Sequence, residues 1–200
     1  KRQGLSHLAE DIFSIEFENN NSDITNGYMT EAGLENPSRV SSFLDNIDKI
    51  CFINCGSSLS ERGGAYLFLR YLYEQSDNGI EFIQNMVTGE YRGMQNLQNA
   101  AFGNAYDEDS LSVALGQFGL AVYLSGTAEN SSPVYNFDGI NLRGLNFDNR
   151  GTFLNGPAII DIDDATTDTM TGYSLAYLQI TGYDIEQMGG EIDLQVSNPD

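Results

Sequence analysis

The sequence predicts an α+β protein, a helical subdomain followed by a small β-rich domain. Up to about Thr127 the apolar residues recur at three- and four-residue spacing, the period of amphipathic helices. Beyond it the pattern alternates, and Pro133, Gly139, Gly144, Gly151, Gly156 and Pro157 punctuate it. With 200 residues, of which 40% are hydrophobic, the chain can bury a core of its own. The expected division is residues 1–127 and 128–200, and no repeat of fixed period runs through either part.

Leu5, Leu8, Ile12 and Ile15 share one helical face, so the first element is a helix ending near the Glu18-Asn19-Asn20-Asn21 run. Gly27 and Gly33 mark a loop. Pro37 suits the first turn of a second helix running to about Ile47, since a helix needs no amide donor there. Ser58 and Glu61 form a capping box ahead of Ala65, Leu67, Phe68, Leu69, Tyr71 and Leu72, a helix apolar on nearly all sides and therefore central. Asn78 and Glu81 repeat that capping logic for a short helix ended by Gly89. A fifth helix covers Met94 to Ala101. Asp107 or Asp109 caps a sixth that passes through Phe118 and ends at Gly126. Strands are expected at Val134 to Phe137, Ile140 to Leu142, Ala158 to Ile162, Tyr173 to Ile180 and Glu191 to Val196.

The formal net charge of -20 is spread along the chain and disfavours polyanions, so nucleic acid is excluded as a partner class. No apolar run has the length of a membrane span. Few Lys and Arg, many Asn, Ser, Thr and Gly, and no Trp suit a bacterial secreted or surface protein. Cys51 and Cys55 are the only cysteines. They form either a short-loop disulfide, which fits an oxidising compartment, or two partly buried thiols. Asp161, Asp163, Asp164 and Asp168 fall in one strand and turn and form a candidate calcium site. Ala165 and Thr166 break the EF-hand order, so a solvated acidic turn is the competing reading.

The run Gly4-Leu5-Ser6-His7-Leu8-Ala9-Glu10-Asp11 resembles the glutamate helix of hyicolysin-like zinc peptidases of the gluzincin group. There a Glu-Gly-Leu-Ser or Glu-Gly-Leu-Ala run supplies the third zinc ligand. Glu61-Arg62-Gly63-Gly64-Ala65-Tyr66-Leu67-Phe68 is similar to the family's Tyr-Gly-Ala-Ala-Tyr-Leu-Phe helix, with Arg62 in place of its tyrosine. Gly93-Met94-Gln95-Asn96-Leu97, Phe118-Gly119-Leu120-Ala121-Val122-Tyr123-Leu124-Ser125-Gly126 and Asn141-Leu142-Arg143-Gly144 resemble later segments, in order.

The resemblance implies that residues to about Thr127 form the C-terminal helical subdomain of a gluzincin, followed by an appended β module. Zinc is the cofactor of the parent family. A hydrolytic zinc needs three protein ligands, an open position and a carboxylate base. In this chain Gln3 stands at the family's glutamate position and His7 is the only histidine, so the HExxH ligands and base are not among its residues. Gln3, His7 and Glu10 share a helical face. If a metal is held, His7 and Glu10 orient a ligand supplied from elsewhere. Otherwise His7 is an ordinary hydrogen-bonded histidine.

The expected function is the C-terminal portion of a secreted or surface zinc metallopeptidase, hydrolysing peptide bonds in the parent protein and inactive as this chain. The rival is a pseudo-peptidase that binds or adheres at the bacterial surface. Either implies a protein or peptide as substrate or partner, and a lipid anchor in a preceding segment is compatible with both.

Overall fold

The computed structural model describes residues 4–14, 35–53, 56–103, 108–128, 130–146, 151–161 and 170–179. Residues 4–14 are helical (α1) and pack on the third helix: a Cβ added to Gly4 would lie 3.1 Å from Ala65. The second helix, α2, spans Asn36–Leu44 with proline in its first turn, and turns over residues 45–49 replace the expected run to Ile47.

The third helix, α3 (Leu59–Gln75), begins on the predicted capping box. Ser58 Oγ accepts from the Glu61 amide and the Glu61 carboxylate accepts from the Ser58 amide. Its aromatic run is buried from Tyr66 to Leu72. Two small residues let it cross α2 at close range. A Cβ on Gly63 would stand 2.1 Å from the Arg39 carbonyl oxygen, and one on Gly64 would stand 2.7 to 2.8 Å from Phe52 and Phe43.

Asn78 caps α4 (Gly79–Thr88) through its side-chain oxygen and the Glu81 amide, as predicted. Helices α5 (Met94–Phe102) and α6 (Glu108–Leu124) follow, the latter closed by Gly126 at φ +77. Phe118 of α6 sits among Phe52, Phe68, Tyr71 and Phe137 with ring centroids 5.0 to 6.4 Å apart.

The expected β-rich half is sparser than its alternation suggests. Val134 lies in a 3₁₀ turn, Pro133–Tyr135, because the proline fixes a turn-compatible backbone and the Tyr135 amide closes onto Ser132 O. Phe137, Ile140 and Leu142 are buried in the same cluster as the helical residues rather than lined up as strands. The Ser125 hydroxyl and Asn146 carboxamide serve the Phe137 and Asn141 amides. Residues 142–146 pair antiparallel with 152–156 through Gly156 N to Leu142 O, Leu154 N to Gly144 O and Asn146 N to Thr152 O.

One sheet forms among the described residues: β1 (Ile160–Asp161) and β2 (Leu178–Gln179) pair in parallel, Ile160 opposite Leu178. The layout is mostly helical with a small sheet, compatible with α+β. The expected strand at Glu191 to Val196 lies outside the described residues.

Candidate functional site

Helix α1 buries its histidine face against the helical core. Leu8 is fully enclosed and His7 is 7% exposed, while the Asn36 carboxamide donates to the His7 carbonyl at 3.0 Å. His7 Nδ1 lies 3.0 Å from Glu10 Oε2. A carboxylate oxygen only accepts, so Nδ1 is the donor of this bond. Nε2 is buried and has no hydrogen-bond partner. A carboxylate holding one imidazole nitrogen is how ligating histidines are oriented, and it also orients histidines that bind no metal.

Gln3 lies outside the described residues, as do Asp163 and Asp164 of the calcium reading. Asp161 is an exposed residue of β1 facing Gln179 in register. Among the described residues no group of three or more His, Cys, Asp or Glu could hold a metal ion. Cys51 is disulfide-bonded, and Cys55, the other cysteine of the chain, lies outside the described residues.

One turn beyond His7, α1 contributes Asp11 to an ionic cluster on α3. Arg70 Nη1 donates to Asp11 Oδ2 at 2.5 Å, Tyr66 donates its hydroxyl to the same oxygen at 2.6 Å, and Arg70 Nε donates to Glu74. Glu74 also accepts from the Asp138 and Gly139 amides, so the cluster joins α1, α3 and the segment after the 3₁₀ turn. The guanidinium lies where a Cβ on Gly139 would have to be.

Burial raises the Asp11 pKa despite the lowering pull of Arg70 and Tyr66, and burial also raises Tyr66. Burial opposes the Arg70 charge, but Tyr66, Glu74 and Asp11 together hold its pKa above the ordinary value. The cluster is a structural clasp, because every partner is another residue of the chain.

Beside the start of α1 a cavity of about 510 Å³ opens between α3, α4 and α5. Its lining includes Gly4, Leu5, Ala65, Phe68, Arg92, Gly93 and Asn96. Three segments distant in the chain thus meet: the opening octapeptide, the Glu61 to Tyr73 helix and the Gly93 to Leu97 run. His7 does not line the cavity. Arg92 and Asn96 escaped the sequence reading, because a single arginine after a turn and an asparagine in a short helix carry no local signal.

The surface elsewhere shows apolar positions on α6, where Val113, Leu120 and Tyr123 are exposed. Among the described residues no helix is long and apolar enough to cross a membrane. No family model, curated protein or solved structure matches the chain.

Proposed function

We propose that this chain is the C-terminal helical part of a zinc-metallopeptidase scaffold of the hyicolysin-like gluzincin type, forming one wall of a peptide-binding cleft and performing no hydrolysis by itself. The observation that carries the reading is the meeting of three resembling segments, far apart in sequence, around one concave site. A chance likeness of composition has no reason to gather Gly4, Ala65 and Gly93 about a single cavity. The carboxylate-held His7, with its second nitrogen buried and unpaired beside the same helix start, adds support. Its role is to orient, since one imidazole cannot replace three ligands and a base. The disulfide at Cys51 supports a secreted or surface location in an oxidising compartment.

The reading frame ahead of Lys1 tests this. An HExxH within the fifty or so residues before Lys1 supports the peptidase parent, as that span exceeds the usual gap to the glutamate helix. In that longer protein, Gln3→Glu restores a carboxylate where an amide oxygen stands and tightens zinc binding by at least tenfold. An unchanged zinc affinity removes Gln3 from the ligand position and the reading with it.

The rival, a non-catalytic protein that binds at the cell surface, draws on the exposed Val113, Leu120 and Tyr123 of α6. A parent sequence without HExxH favours it.

A further inference from the structure

Helix α6 turns an apolar stripe outward. Val113, Leu120 and Tyr123 are 56%, 47% and 39% exposed, and a Cβ added to Gly116 would meet nothing within 4 Å. The four positions recur at steps of three, four and three residues, the spacing of a two-helix seam. Ala114, Phe118, Ala121 and Val122 form the buried face that holds α6 to the core, so the stripe is not spent on the fold.

Charge sets this helix apart from the rest of the chain. From Ser110 to Ala128 the sequence carries no charged residue, its longest such run, although the formal net charge is -20. Like charges placed face to face repel, so two acidic molecules approach closely only where neither bears charge. The ends of the stripe carry opposite signs. At the C-terminal end the Arg143 guanidinium lies 5.9 Å from the centre of the Tyr123 ring and its Nη2 donates to the Tyr123 carbonyl at 2.7 Å, while Tyr177 stacks on that ring at 5.3 Å. At the N-terminal end Asp109 is exposed in the first turn of α6.

We propose that a second copy of this chain docks on this face, α6 against α6 in antiparallel orientation, with the two-fold axis at the level of Phe118. In that register Gly116 lies opposite Leu120 of the second copy and Val113 opposite its Tyr123, so at each level a smaller residue faces a larger one and the pattern complements itself. Position 116 needs only to be small, so alanine serves there as glycine does. The same register brings Arg143, beside the end of one helix, toward Asp109 at the start of the other and sets the helix dipoles head to tail. A basic partner finds no carboxylate along the stripe, whereas the chain matches its own stripe in shape and in charge. The stripe covers about 15 Å of helix, at the small end of specific interfaces, so the dimer is weak and concentration-dependent. The inference goes beyond the peptidase reading and does not depend on it.

Sedimentation equilibrium of the whole chain over a concentration series tests this. The mass is expected to rise from one chain toward two and no further, since a two-fold contact closes on itself. Leu120→Glu puts a carboxylate into the seam of each copy and should weaken association at least tenfold, with circular dichroism confirming that the fold is kept. Val87→Glu, at a position 65% exposed on α4, adds the same charge elsewhere and should leave the dimer unchanged. Asp109→Lys makes the chain less negative, which eases general repulsion, yet it should weaken the dimer several-fold because the lysine meets Arg143. A monomer at every concentration, growth beyond two chains, association that survives Leu120→Glu, an equal loss in Val87→Glu, or an Asp109→Lys dimer as tight as the parent's or tighter overturns the proposal.

Discussion

Replacing Gly63 with alanine sets two effects of known size against each other. Mid-helix glycine costs about 1 kcal/mol relative to alanine, so propensity alone predicts that Gly63→Ala stabilises α3. The structure reverses the sign. The new Cβ would meet the Arg39 carbonyl oxygen at 2.1 Å, its carbon at 2.4 Å and the Val40 nitrogen at 2.9 Å, all backbone atoms that no rotamer change can clear. Ordinary carbon contacts lie at roughly 3.5 Å, so α2 must retreat from α3 by more than about 1 Å. That movement loosens Val40, Phe43 and Leu44, which are at most 1% exposed. Overpacking of this kind costs about 1 to 3 kcal/mol or more, which exceeds the propensity gain.

Gly116→Ala in α6 is the control, since a Cβ there has nothing within 4 Å and only the propensity gain remains. Thermal unfolding followed by circular dichroism should show Gly116→Ala melting about 2 to 4 °C higher than the parent and Gly63→Ala several degrees lower. Equal or greater stability for Gly63→Ala would refute the close crossing of α2 and α3.

Three further outcomes follow from the ionic clasp and the disulfide. Arg70→Met leaves Asp11 and Glu74 buried without their cation and should cost about 3 to 5 kcal/mol in urea unfolding, far more than loss of an exposed pair. Because burial raises the Asp11 pKa above 3.8, the native state holds that proton to higher pH than the unfolded chain does. The contribution is fully present below pH 3.8 and is lost as pH rises through the native value, so the stability difference between the parent and Asp11→Asn should change across that window and level off above it. Reducing the disulfide at Cys51, which closes a loop of a few residues if its partner is Cys55, should lower stability by about 2 kcal/mol.

What could be read in the sequence was whatever is decided locally. The Ser58 and Glu61 capping box and the Asn78 cap act within one turn, and both start their helices where the residues indicate. Helix α2 ends before the Ile47 that its apolar pattern suggests, because Ile47 is buried from a turn rather than from the helix. Alternation misled at Val134, since Pro133 and a local amide bond decide the backbone there before any partner strand can. Phe137, Ile140 and Leu142 looked like strand residues because they are intermittently apolar, but what they cover is the helical core.

The candidate site was legible only in part. His7 and Glu10 lie one turn apart and their contact is implied by spacing. The joining of Asp11 to Arg70 spans 59 residues, and the cavity draws on residues from Gly4 to Leu97, so both depend on tertiary packing that no local pattern encodes.

The proposed peptidase reading makes this chain one wall of a zinc site that is completed by an HExxH segment outside residues 1–200. Metal analysis of the protein purified with its preceding segment, together with cleavage of an unfolded protein substrate, tests it most directly. The account predicts one bound zinc per molecule and chelator-sensitive cleavage for that protein, and neither for residues 1–200 alone. A longer protein that carries no zinc and leaves the substrate intact would contradict it.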